Sequence, residues 1–376
     1  MRSTFTLRNE QLVVIFTIIF STTYIDHVIE GARYVKYLIL PITILLWATK
    51  RFRLPQSYTH IDSALLFLLG WLLISSAWGN TYLGLKDSYF IACYILPFLA
   101  LKSKDTSFET VFLVYTTFFL INIFSRELDS ISIADSTGLA ESSASFAYGA
   151  FALYFVITRK KFLAIMAIFL LFISLKRIAL LGFIFCFALW LSPNAIQRTL
   201  LNRAAIIIFN IFIAATLIIM TSGAMADLIE TLTGKSTNHF TMGRMVLYYG
   251  VVLDMIQNPQ QLIFGNGAGT AYEKVVVMYD GMARQPNLHS DTLKILYEFG
   301  FIFFAIFFYK LSSSKNLASR IMIIYICILF STDNVLIYPD IMFILLYATY
   351  RLSYESGAKI TSSYSASEDQ KKVCTP

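Results

Sequence analysis

Long apolar runs separated by short polar turns make up most of this chain, and one polar stretch of nearly 70 residues, 222–290, breaks the rhythm. About 20 apolar residues cross a bilayer as a helix, and in hydrocarbon only a helix or a closed barrel satisfies its own backbone. Twelve runs of this kind begin near Gln11, Gly31, Asp62, Leu83, Ser107, Ser143, Phe162, Ile178, Arg203, Ser290, Leu317 and Pro339. The expected fold is an all-α integral membrane protein with about 12 transmembrane helices. Residues 1–221 hold spans 1–9, 222–290 one long loop, 291–352 spans 10–12, and 353–376 a Ser-rich polar tail. The first run has no small-residue cleavage site after it and reads as a retained span.

The long loop carries its own pattern. Gly243 to Asn258 reads as a helix with a broad apolar stripe (Met245, Leu247, Tyr248, Val251, Val252, Met255), stopped by Pro259. Such a helix either lies in the membrane interface or packs on the bundle. Arg244 sits in its first turn, where the helix dipole disfavours a cation, so it is a surface arginine or has another partner. Gly265-Asn-Gly-Ala-Gly269 lacks both a flanking strand and a GK[ST] ending, so it is not a P-loop. It reads as a flexible turn, open enough for backbone to approach a sugar.

Composition and charge narrow the class. A chain of 376 residues that is 57% hydrophobic and 14% charged exceeds what one soluble core can bury. With the N-terminus inside, most of the 30 basic residues fall in the inward turns and tail, so the loop faces outward. The net charge of +7 is mostly this bias, and gives no argument for nucleic acid. Cys93, Cys186 and Cys327 fall in apolar spans and Cys374 in the tail, so no disulfide is expected. Lys176-Arg177 violates the bias by sitting in an outward turn. The pair either snorkels to the headgroups or forms a cationic site for phosphates.

Four histidines, His27, His60, His239 and His289, show no metal-ligand spacing, so no metal and no cofactor is expected. His289 directly precedes the tenth span, where the helix dipole favours the neutral imidazole that accepts a proton.

Ser174-Leu-Lys-Arg177 before a span, Gly243-Arg244 opening a loop helix, the Asn258-Pro259 step, the glycine turn and His289-Ser-Asp-x-Leu-x-x-x-Tyr-Glu298-x-Gly300 follow in order. This series resembles the O-antigen polymerase and O-antigen ligase superfamily, which pairs the histidine with Asn where this chain has Ser290. The resemblance implies a GT-C-like glycosyltransferase of the bacterial inner membrane with its active site facing the periplasm. His289, Arg177 and Arg244 are then the expected catalytic residues: the histidine a base on the acceptor hydroxyl, the arginines holding pyrophosphate. Lys176, Arg284, Tyr248, Asp291 and Glu298 are the expected substrate contacts, with Asp291 and Glu298 as alternative bases. Expected partners are undecaprenyl-pyrophosphate-linked oligosaccharides, membrane lipids and a chain-length regulator protein. A polymerase, extending one lipid-linked glycan onto another, is the reading of choice. The alternatives are a ligase transferring to lipid A core or protein, and a lipid-linked oligosaccharide flippase.

Overall fold

The computed structural model describes residues 9–49, 59–102, 107–125, 142–174, 176–234, 236–240, 243–278 and 287–354, and among these it contains helices and turns but no strand. Before the loop run α1 (Asn9–Ser21), α2 (Ile39–Ala48), α3 (His60–Ser75), α4 (Thr81–Leu101), α5 (Phe108–Ser125), α6 (Ala144–Ile157), α7 (Lys161–Ile173), α8 (Arg177–Leu191), α9 (Asn194–Leu200) and α10 (Arg203–Thr221). The loop holds α11 (Ala226–Thr233), α12 (Thr237–Phe240), α13 (Arg244–Gln257), α14 (Pro259–Phe264) and α15 (Thr270–Met278). After it come α16 (Asp291–Leu311), α17 (Leu317–Thr332) and α18 (339–354).

Every apolar run therefore carries a helix. α4, α5, α10 and α16 are each long and apolar enough to cross a membrane, and six further apolar helices have 10–17 residues. An all-helical chain with such helices is a membrane protein. Polar side chains start several of them. Asn80, Asn202 and Ser290 accept from backbone amides of the first turns of α4, α10 and α16, and Thr59 with Asp62 forms a capping box on α3.

α6 is buried along almost its whole length and packs on α7, α8 and α17, while α16 packs on α3, α10 and α14. The outer helices expose apolar faces, as at Phe162 on α7 and Ile208 and Phe212 on α10, which is the reverse of a soluble protein. Antiparallel packing sorts the turns. At one end Lys102 pairs with Asp62, Lys160 with Glu109, and Arg320 donates to the carbonyls of Leu201 and Ser314. At the other end gather the start of α6, the α7–α8 turn, the loop, the start of α16 and the end of α17. Cys93, Cys186 and Cys327 are free and buried, as their apolar spans predict.

Candidate active site

Three chain segments meet at that second end. The Asp291 amide donates to the Asp333 carbonyl at 3.2 Å, which ties the start of α16 to the end of α17. Lys176, in the turn before α8, sends its ammonium to Asp333 Oδ2 at 2.8 Å. His289 takes a left-handed backbone conformation (φ 53), which costs a non-glycine residue roughly 1–3 kcal/mol. Its Nδ1 lies 3.8 Å from Asp333 Oδ1, an electrostatic contact rather than a hydrogen bond, and this nitrogen has no hydrogen-bond partner. The Tyr338 hydroxyl is 3.5 Å from the same oxygen, which also accepts the Asn334 amide at 2.9 Å. Burial alone would raise the Asp333 pKa. The facing imidazole and the Lys176 ammonium outweigh it and hold the carboxylate well below its usual range.

The loop helix reaches this cluster from above. α13 begins after Gly243 (φ 80), as its pattern predicts, and buries Met245, Tyr248, Val251, Val252 and Met255. The Tyr248 hydroxyl donates to the His289 carbonyl at 2.8 Å. Burial pushes this phenol above its ordinary range despite the nearby Arg244, so it stays a neutral donor. Arg244 stands one turn before Tyr248, and exposed Arg177 directly follows Lys176. Of the sequence-predicted residues, His289 and Tyr248 are thus joined directly and Lys176 through Asp333, with Arg177 and Arg244 attached through their neighbours. Tyr248 anchors the backbone of the histidine through this bond. Arg284 lies outside the described residues.

Two expected substrate contacts need correction. Asp291 and Glu298 are fully buried. Asp291 Oδ2 accepts the Leu336 amide at 2.8 Å, and Glu298 Oε1 accepts the Ala271 amide at 3.2 Å at the start of α15. Their carboxylates are used by backbone amides that hold the fold together. Beside them Lys294 pairs with Asp87 of α4, and Tyr272 of α15 donates to the same aspartate at 3.4 Å. Buried charges survive only when paired in this way.

The glycine turn is also not a flexible one. α16 is broken at Gly300 (φ 79, ψ 169), and the turn supplies the bonds its backbone loses: the Asn266 amide donates to the Tyr297 carbonyl at 3.1 Å and Gly267 to the Glu298 carbonyl at 2.8 Å. The Ala268 amide donates to the Ser75 carbonyl, and the Ala268 carbonyl accepts the Asn80 amide. A methyl group on Gly267 would stand 2.6 Å from the Gly79 Cα, while one on Gly234, also at positive φ, would meet nothing within 4 Å. Gly267→Ala should therefore lower the thermal unfolding midpoint in detergent far more than Gly234→Ala, whose cost is the conformational one of about 1–2 kcal/mol. Equal shifts would show that the turn is not packed.

Asp333 was invisible to motif reading, although an acid placed directly after an apolar helix, at the same end as an out-of-place Lys-Arg pair, is a usable signal. Asp87 and Lys294, charges inside apolar spans, are another. Among the described residues no cluster has metal-binding composition. A cavity of about 240 Å³ lined by His60, Phe98, Lys315 and Tyr350 lies at the opposite end and takes no part in this site.

No curated protein and no solved structure matches the chain. Residues 162–308 match the family described as O-antigen ligase. The match runs from the start of α7 almost to the end of α16, so it takes in Lys176, Arg177, the whole loop and His289, and stops short of Asp333. Through this segment the chain carries a domain of the O-antigen ligase and polymerase superfamily.

Proposed function

We propose that this protein is a surface-polysaccharide polymerase of the bacterial inner membrane. In this reading about twelve of its helices cross the membrane and the loop faces the periplasm. It transfers a nascent glycan from undecaprenyl pyrophosphate to an incoming lipid-linked repeat unit. The observation that carries the reading is the contact of His289 with Asp333, which also pairs with Lys176, with Arg177 next to that lysine in the chain and Arg244 one turn before Tyr248. Three cations against one carboxylate leave an excess of positive charge where a pyrophosphate would sit.

The chemistry needs little more. The acceptor hydroxyl attacks the anomeric carbon as the carbon–oxygen bond to the pyrophosphate breaks. Asp333 faces Nδ1 and so favours the proton there, which leaves Nε2 to take the hydroxyl proton. The departing pyrophosphate gathers negative charge, which Arg177 and Arg244 stabilise by charge-assisted hydrogen bonds. Lys176, paired with Asp333, positions that carboxylate. A chain-length regulator protein would be a natural partner of such an enzyme.

A ligase is the second reading, favoured by the description of the matched family. Both readings share donor and site and differ only in acceptor. The lipopolysaccharide ladder of a deletion strain separates them: chains one repeat long identify a polymerase, and lipid-linked polymer beside an uncapped core identifies a ligase. Repeats trapped on the cytoplasmic side would overturn both in favour of a flippase. Complementing the same strain with Arg177→Ala or Arg244→Ala should fail at normal protein levels. Full-length ladders from both would remove these arginines from the mechanism.

A further inference from the structure

We propose that the end of the bundle opposite His289 holds an anionic glycerophospholipid of the inner leaflet, with its phosphodiester seated between Arg203 and Arg320. The inference rests on the membrane assignment and on the orientation read from the basic residues, not on the glycosyl transfer proposed above.

A charge imbalance along the chain is the first argument. From residue 142 to 226, and again from 299 to 332, the sequence contains no aspartate or glutamate. Arg198, Arg203, Lys310, Lys315 and Arg320 fall in these stretches, on α9, at the start of α10, at the end of α16 and around the turn into α17. Elsewhere at the same end the cations have acids: Lys102 pairs with Asp62 and Lys160 with Glu109. Among the described residues neither Arg203 nor Arg320 has a carboxylate partner, so their counter-ion comes from outside these residues.

Geometry is the second. Arg203 donates to the Ser313 carbonyl and to the Tyr309 hydroxyl, each at 3.3 Å. Arg320 donates to the Ser314 carbonyl and, across to the turn before α10, to the Leu201 carbonyl at 2.9 Å. Both half-buried guanidiniums are thus fixed on the turn after α16, close enough for their like charges to repel. A phosphate between them replaces that repulsion with two charge-assisted attractions. The bonds to the protein engage two nitrogens of each guanidinium, and each has N–H donors beyond those. Cations that merely snorkel to the headgroups need no such fixing.

The surface below the arginines points to a lipid rather than a free phosphate. The guanidinium carbon of Arg203 stands 5.5 Å from the centre of the Tyr309 ring. Exposed Tyr309 is continued along α16 by Ile306 and Ile302, also exposed and at helical spacing. α10, which packs on α16, exposes Ile208 and Phe212. Cations at the helix ends above an apolar face match a headgroup with its acyl chains, and basic pockets between helices on the cytoplasmic side suit anionic lipids. A zwitterionic headgroup would bring an ammonium of its own to a site that already has excess positive charge.

Native mass spectrometry of the purified full chain, equilibrated with equal amounts of phosphatidylglycerol and phosphatidylcholine, tests this by counting retained lipids. The wild type should retain phosphatidylglycerol in several-fold preference, and Arg203→Gln/Arg320→Gln should retain the two about equally. Lys160→Gln/Lys161→Gln, which subtracts the same charge elsewhere at this end, should keep the preference. If the double arginine variant does not fold, Arg203→Gln alone, which leaves both Arg320 bonds in place, decides the matter by a clear drop in preference. A wild type without the preference, or an arginine variant that keeps it in full, overturns the proposal. So does a preference abolished by inorganic phosphate but not by chloride at matched ionic strength, since the site would then take free phosphate.

Discussion

Replacing His289 by alanine is expected to reduce glycan transfer to traces, a loss on the order of 10² to 10⁴ in rate if the imidazole is the general base. The residue stands at the meeting point of three segments, held by the Tyr248 hydroxyl on its carbonyl and faced by Asp333. The alanine variant by itself does not separate base from hydrogen-bond donor. His289→Asn does, because an amide keeps polar contacts but takes no proton at neutral pH. Turnover of defined lipid-linked repeats by purified protein is the measurement. An asparagine variant near the wild-type rate would end the base assignment. Asp291 and Glu298 would not inherit the role, since both are fully buried and bonded to backbone amides, so attention would pass to Asp333.

Asp333→Asn should have the second-largest effect. The substitution removes the charge that orients His289 and leaves the Lys176 ammonium without its 2.8 Å partner. Losing one member of a buried pair costs about 3–5 kcal/mol, with the lower figure apt because the Lys176 side chain is 17% exposed. Stability and catalysis come apart in the double variant Lys176→Met/Asp333→Asn, which removes both charges of the pair. It should recover stability while turnover remains down on the order of 10² to 10⁴. Recovery of both would make Asp333 a structural residue only. The pH dependence follows from the direction of the shift. A carboxylate held below its ordinary value contributes stability that is complete above about pH 3.9 and is lost as pH falls toward the folded value. Wild-type protein should therefore lose more stability on acidification through this range than Asp333→Asn does.

How much of this was legible beforehand depended on the range of each interaction. α13 could be read because its apolar period and the stop at Pro259 are local, although that proline both ends one helix and begins the next. The glycine turn could not be read correctly, because its glycines answer to Gly79 and Gly300 rather than to their own neighbours. From sequence, backbone that must pass within touching distance of another helix looks the same as backbone that is free to move. Glu298 was misjudged for a similar reason. A carboxylate in a motif suggests chemistry, and only packing reveals that it caps the start of α15.

The sequence by itself determined that this is a helical membrane protein, because hydrocarbon imposes length and apolarity on every span whatever its neighbours. It also marked out the long polar loop, and it singled out His289 and the Lys176-Arg177 pair. Only the tertiary structure decided which acid faces the histidine. Lys176 and Asp333 are 157 positions apart, and Lys294 and Asp87 are 207 apart. Coulomb attraction and the cost of burying an unpaired charge depend on distance in space, and a chain read in order carries no measure of it.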